Sequence, residues 1–281
     1  MKIAILVSEK YYDQPTHDDL LLKEKLDEKG ATARLVQWDD ASIDYENFDK
    51  AIIRSCWDYH LKADLFVSTM HEVSKKCQLI NNFDLIVENT NKTYLQKFYN
   101  KGIEIVPTHY IHSLSELESL ALPFDANEYI VKPAISSSGN NTFKVSCDDI
   151  IGKARDLLDF GSVLIQPFIR SVQDIGERST VVIDGCATFT MKKTPSQGGF
   201  LVHTHHGGSY IEVDTRSEDA LWLEKVIKGL PVMPAYARVD YLYSELGSPL
   251  LLELELIEPN LYLSQNRAGL ERLVNFIIKA E

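Results

Sequence analysis

The chain has 281 residues, is 44% hydrophobic and 25% charged, and carries a formal net charge of −12. That length builds sizeable cores, with two or three subdomains expected, and that acidity argues against nucleic acid or an anionic membrane as the main partner. No apolar run nears the roughly 20 residues of a membrane span, and Met1–Ser8 is too short for a signal peptide. Cys56, Cys77, Cys147 and Cys186 lack metal or redox spacing, so reduced thiols in a cytoplasmic protein are expected.

Lys2–Ser8 reads as a buried strand, and Thr16 to Asp19 as a capping box opening a helix that Gly30 ends. Thr32–Gln37 and Asp49–Ser55 follow as strands, and Lys62–Gln78 as a helix. This alternation predicts a small parallel, doubly wound unit. The turn after the first strand has no Gly-rich fingerprint, which argues against a dinucleotide. Arg54, Trp57 and Asp58 lie at the carboxyl end of the third strand, where open α/β sheets bind ligands, and an arginine there suits a carboxylate. An Arg–Asp pair with a packed Trp at a domain contact is the competing explanation, and on these residues alone the stronger one.

A helix is predicted from Glu88 to Gly102, a short strand over Ile103–Thr108, a helix over Leu114–Leu120 and a strand over Glu128–Pro133. Ser136, Ser137, Ser138 and Gly139 then form a loop of small residues before a strand-like Thr142–Val145. Such a loop can turn several N–H groups onto one anion, and Lys132 just before it adds a point charge. The alternative is a plain hairpin connection. Asp148–Phe160 is helical. Ser162–Ile169 is an apolar strand whose Pro167 marks an edge or hinge. Ser179–Ile183 and Ala187–Lys192 make a hairpin, and the polar, Gly-rich Lys192–Ser209 is a flap candidate. His203 and His205 could chelate zinc, but no third ligand is evident. Ser217–Lys228 and Arg267–Ala280 are helical.

Between those two helices lies the most informative stretch. Ala235–Tyr243 and Leu250–Leu256 alternate, joined by a Gly/Pro/Ser turn, which predicts a hairpin. In a simple register Asp240 faces Glu253 and Arg238 faces Glu255, with Leu250, Leu252, Leu254 and Leu256 on the opposite side. Three neighbouring carboxylates call for a counter-ion, and oxygen ligands without His or Cys suit Mg²⁺ or Mn²⁺. The competing explanation is a solvated polar face.

With Lys92, Lys132 and its Ser-rich loop, the break at Gln166–Ile169, Lys193 and the Asp240/Glu253/Glu255 hairpin in one order, the chain resembles the ATP-grasp superfamily. It is most similar to the glutathione-synthetase-type branch that includes a D-cycloserine-forming cyclo-ligase. Arg54–Tyr59, Gly176–Ser179, Ala237–Asp240 and Glu253–Pro259 carry the resemblance, which spans nearly the whole chain. It implies an α/β (α+β) fold: an N-terminal parallel unit over residues 1–87 that binds substrate, then an ATP-grasp domain over 88–281, with a small lid about 105–165 and a C-terminal antiparallel-sheet unit about 166–281. Lys92, Lys132 and Ser136–Gly139 would contact ATP phosphates, Gln166, Phe168 and Ile169 the adenine, and Glu177 the ribose. Asp240, Glu253 and Glu255 would hold Mg²⁺, although many relatives carry Asn where Glu255 stands. Arg54, Trp57 and Asp58 would grip an amino-acid-like substrate.

The implied reaction moves the γ-phosphoryl of ATP to a carboxylate, and an amine, from a second molecule or the same one, attacks the acyl phosphate. Related ligases often place an arginine in the flap; here Arg238, Lys193 or His203 must serve. A nucleotide-sensing module without ligase chemistry and a phosphotransferase acting on a hydroxyl are the alternatives. A homodimer is compatible, since dimers are common among resembling enzymes.

Overall fold

The computed structural model describes residues 1–279. Four parallel strands, β1 (Lys2–Val7), β2 (Thr32–Gln37), β3 (Lys50–Ile53) and β4 (Gln78–Ile80), form the first sheet in the order β2-β1-β3-β4. Helices cover both faces, so β1 is apolar from Ile3 to Val7: Ile3 and Ile5 pack with Leu22 and Leu26, Ala4 and Leu6 with Phe66 and Met70. Thr16 caps the helix His17–Glu28, its Oγ1 accepting the Asp19 N–H at 3.1 Å, and Gly30 ends it with φ +85°. The next helix, Ala63–Lys76, stops short of Gln78, which begins β4. Three residues were too few for β4 to show a period.

A second sheet contains β5 (His109–Ile111), β6 (Glu128–Pro133), β7 (Phe143–Ser146) and β8 (Val163–Pro167), antiparallel in the order β5-β8-β6-β7. The helices Leu114–Glu118 and Ile150–Leu158 back it. Pro167 ends β8 opposite Tyr129 rather than placing it at an edge. The helix expected from Glu88 to Gly102 is instead two, Phe83–Asn89 and Leu95–Asn100, the first capped by Asn82. The strand expected over Ile103–Thr108 is reduced to a bridge between Ile105 and Leu251.

The third sheet is antiparallel: β9 (Glu177–Ile183), β10 (Cys186–Thr194), β11 (Ser209–Glu212), β12 (Tyr236–Tyr243) and β13 (Pro249–Glu255), in the order β11-β10-β9-β12-β13. Asp184 and Gly185, both at positive φ, make the tight turn between β9 and β10. Lys193 lies inside β10, so the flap begins after Thr194, and β11 pairs back onto β10 beyond it. The expected pairs Arg238/Glu255 and Asp240/Glu253 occur, but the register slips between Asp240 and Tyr241, so Tyr241 faces Leu251. Leu252 is the extra residue of a bulge. The single leucine face is therefore overturned: Leu251, Leu254 and Leu256 enter the core, while Leu250 and Leu252 pack with Val106, Val202 and Leu242.

Beyond the backbone bridge at Leu251, the outer edge of β13 is covered by side chains. Asn89 donates to the Leu254 carbonyl at 2.7 Å and accepts the Leu256 N–H at 2.8 Å; the Tyr94 hydroxyl donates to the Leu254 carbonyl and accepts its N–H, both at 2.8 Å. Asn81 bridges the Tyr236 and Leu256 carbonyls. These bonds satisfy an edge that would otherwise be open and fix the strand that carries Glu253 and Glu255. The helix Arg267–Lys279 packs Leu270, Leu273 and Ile277 into a core shared by β1, β9 and β10. Ala280, its expected last residue, lies outside the described residues.

Candidate active site

The third sheet turns a row of charged side chains toward the second. Register sets Lys193 opposite Glu177, Asp240 between Ser179 and Glu253, and Arg238 opposite Glu255. Across the gap stand Lys92 and Lys132, with the Ser136–Gly139 loop and the end of β8. A cavity of about 140 Å³ between them is lined by Lys92, Lys132, Ser136–Gly139, Gln166–Ile169, Glu177, Asp240, Glu253, Glu255 and flap residues Phe200–His203. Every residue expected at phosphates, adenine, ribose or metal thus reaches one cavity.

Cations and carboxylates alternate there. Lys193 Nζ reaches Glu177 Oε1 at 3.0 Å and Asp240 Oδ2 at 3.5 Å. The Arg238 guanidinium binds both Asp240 oxygens and reaches Glu255 Oε1 at 2.5 Å. Ser179 Oγ donates to Asp240 Oδ1 at 2.6 Å. Burial alone would push Asp240 up, but Arg238 and Lys193 hold it well below the usual carboxylate range. Burial, with Asp240 and Glu253 near, outweighs Arg238 at Glu255 and pushes it up to about 7. Lys92 Nζ donates to the Ser136 carbonyl at 2.6 Å and pairs with Glu253 Oε1 at 3.2 Å. Burial, aided by Lys92 and opposed by Glu253, brings Lys132 down to about 8.

Among the described residues no three His, Cys, Asp or Glu side chains form a ready metal cluster. Asp240 and Glu255 are turned onto Arg238, and Glu253 onto Lys92, so the three carboxylates share a cavity without converging. The donor set still fits a hard dication: all ligating atoms are oxygens, and burial with Asp240 and Glu253 near raises Glu255, which an added cation would offset. The His203 and His205 rings lie 5.4 Å apart and, among the described residues, join no group of three potential metal ligands.

The arrangement has counterparts among known proteins. The family model described as D-cycloserine synthetase DcsG, N-terminal domain, matches residues 3–81. A cycloserine biosynthesis protein DcsG from Streptomyces lavendulae is 27% identical over 256 residues, covering 85% of this chain and 86% of that protein. The crystal structure of D-cycloserine synthetase DcsG superimposes with a TM-score of 0.87 at 22% identity, over 99% of this chain and 98% of that one. The D-alanine–D-alanine ligase from Bacillus anthracis, complexed with ATP, does so with a TM-score of 0.71 at 15% identity, over 99% and 96%. The chain has the ATP-grasp fold.

β8 ends within Gln166–Ile169, a segment that lines the first cavity. Gln166 is fixed there, its Nε2 donating to Thr108 Oγ1 at 2.8 Å, and the Phe168 ring carries Lys144 Nζ at 4.7 Å. Glu177 lines the same cavity, mostly buried and paired with Lys193 at 3.0 Å. On the substrate side Arg54 is a correction. It is buried, donates to the Pro259 carbonyl at 3.1 Å and lies 3.6 Å from Asp19, so it ties the ATP-grasp domain to the first sheet instead of facing a ligand. Trp57 and Asp58 do line a second cavity, beside the first, with Ser8, Tyr11, His60 and Asn140. Ser136 borders both. Trp57 Nε1 donates to the Glu258 carbonyl at 2.9 Å, and Asp58 Oδ1 accepts from Trp38 Nε1 at 3.0 Å.

Glu258 itself was missed. Its carboxyl lines the first cavity, pushed well above the usual range by burial and by Glu255. A signal existed in the Glu-Pro pair after β13. Tyr59 and Asn89 also line that cavity and gave no signal, since their place depends on long-range packing.

Proposed function

We propose that this protein uses ATP to activate a small amino-acid-like carboxylate as an acyl phosphate, which an amine of the same or another molecule then attacks, releasing ADP and phosphate. The observation that carries this reading is the single cavity in which Lys92, Lys132 and the Ser136–Gly139 loop oppose Asp240, Glu253 and Glu255. Lys92, Lys132 and the loop amides would bind the phosphates, and the Gln166–Ile169 segment would receive the adenine. Asp240, Glu253 and Glu255 would hold Mg²⁺, which when bound neutralises charge building on the transferring group. Trp57 and Asp58 would border the acceptor in the adjoining cavity. The flap residues Phe200–His203 roof the first cavity and would shield the acyl phosphate from water.

The test is phosphate release from Mg-ATP over a panel of amino acids and derivatives. Hydroxylamine should divert the working substrate to a hydroxamate, which only an acyl phosphate gives. Glu253→Gln should abolish turnover. Full activity in that variant would remove the metal assignment, and phosphate transfer without a hydroxamate would favour a hydroxyl acceptor.

A further inference from the structure

Three groups were offered by the sequence for the transferring phosphoryl group, and the structure separates them by their partners: two are ion-paired to carboxylates and the third is not. Arg238 is engaged by Asp240 and Glu255, and Lys193 by Glu177 and Asp240. His203 keeps a buried ring nitrogen, Nδ1, with no hydrogen-bond partner among the described residues. It lines the same cavity as Lys92, Lys132, Asp240 and Glu253. Its ring also lies directly on the phosphate loop: a Cβ placed on Gly139 would stand 3.1 Å from both Cε1 and Nδ1. An anion held by that loop and the two lysines is therefore a neighbour of the imidazole.

We propose that His203 is a catalytic residue that donates a hydrogen bond to the phosphoryl group as it passes from ATP to the substrate carboxylate. This rests on the ligase reading above. In the step, the bond from phosphorus to the ADP oxygen breaks, a bond from phosphorus to a carboxylate oxygen forms, and ADP leaves with the electron pair. His203 transfers no proton. Burial, with Lys193 and Arg238 near, holds its pKa down at about 3, so the ring enters as a neutral N–H donor. Neutral imidazole serves as such an electrophile elsewhere. Neither neighbour in the flap competes: His205 and His206 are exposed. His60, the other histidine with an unpartnered buried Nδ1, lines the second cavity, on the Asn140 side of the loop.

The experiment compares Mg-ADP with the non-hydrolysable γ-phosphate analogue Mg-AMPPNP by calorimetry on wild type, His203→Ala and His203→Asn, whose amide can replace the Nδ1 donor. In His203→Ala, ADP affinity should stay within about twofold while AMPPNP affinity falls roughly tenfold or more. With the working substrate, kcat should fall by about 10²–10³ and KM change little. Asn should restore part of both. Equal weakening of the two nucleotides would show a flap-packing role and overturn the proposal, as would no weakening of either. Wild type that binds both nucleotides but phosphorylates no carboxylate would sink the ligase reading and leave the nucleotide comparison to judge His203.

Discussion

Arg238 and Asp240 stand two residues apart on one strand, and the guanidinium of the first holds the carboxylate of the second through two hydrogen bonds of 2.9 and 2.8 Å. Both are buried. Removing one partner leaves the other charge uncompensated, so Arg238→Ala should lose about 3 kcal/mol of stability, with Lys193 limiting the damage. The paired replacement Arg238→Met with Asp240→Leu should recover much of that loss and none of the activity. Urea unfolding beside phosphate release separates the two effects.

Glu255 gives a pH signature. Its folded pKa of about 7 lies above the ordinary 4.5, so the folded state keeps a proton that the unfolded chain has lost between those values. Its contribution to stability is full below about 4.5 and lost as pH rises through about 7. Mg²⁺ binding needs that proton gone, so affinity for Mg-ADP should rise with pH and level off above about 7. Melting curves from pH 5 to 8, with and without Mg-ADP, should show both slopes in wild type and neither in Glu255→Gln.

Lys132 runs the other way. Its pKa of about 8 is below the ordinary 10.5, so its contribution makes stability rise between those pH values and leaves a buried ammonium to be tolerated at pH 7. Lys132→Met should stabilise the nucleotide-free protein by about 1–3 kcal/mol at pH 7 while cutting ATP affinity by about 10²-fold. Destabilisation with affinity intact would remove Lys132 from the phosphate site.

Gly139 has φ +71° and Gly185 φ +73°, one under His203 and the other in the turn between β9 and β10. Alanine should cost each site about 1 kcal/mol from backbone strain. Only Gly139→Ala also meets the imidazole, so it alone should lower kcat, by tenfold or more. Equal kcat in the two variants would show that the loop and the flap act independently.

Much of this site was legible in order and chemistry before any folding. Lys132, the Ser-rich loop and the Asp240/Glu253/Glu255 pattern are local signals, whereas Lys92 was picked out only by the family resemblance; hairpin pairing follows from alternation and a turn. Arg54 was misplaced because an arginine at a strand end looks the same whether it meets a ligand or, as here, Asp19 and the distant Pro259 carbonyl. Tyr59 and Asn89 were missed because nothing in their immediate neighbours marks a residue that packing will aim into a cavity.

By itself the sequence determined the strand and helix alternation of the first unit, the hairpins of the last, and which charged side chains would share a strand face, because periodicity and turn chemistry act over a few residues. The tertiary structure decided what each charge meets. The bulge at Leu252, the side-chain cover on the edge of β13, the turning of Glu255 onto Arg238, and the contact of His203 with Gly139 all join residues far apart in the chain or depend on a one-residue slip. Such contacts are settled by the balance of burial and partnering in the folded interior, and no local pattern encodes that balance.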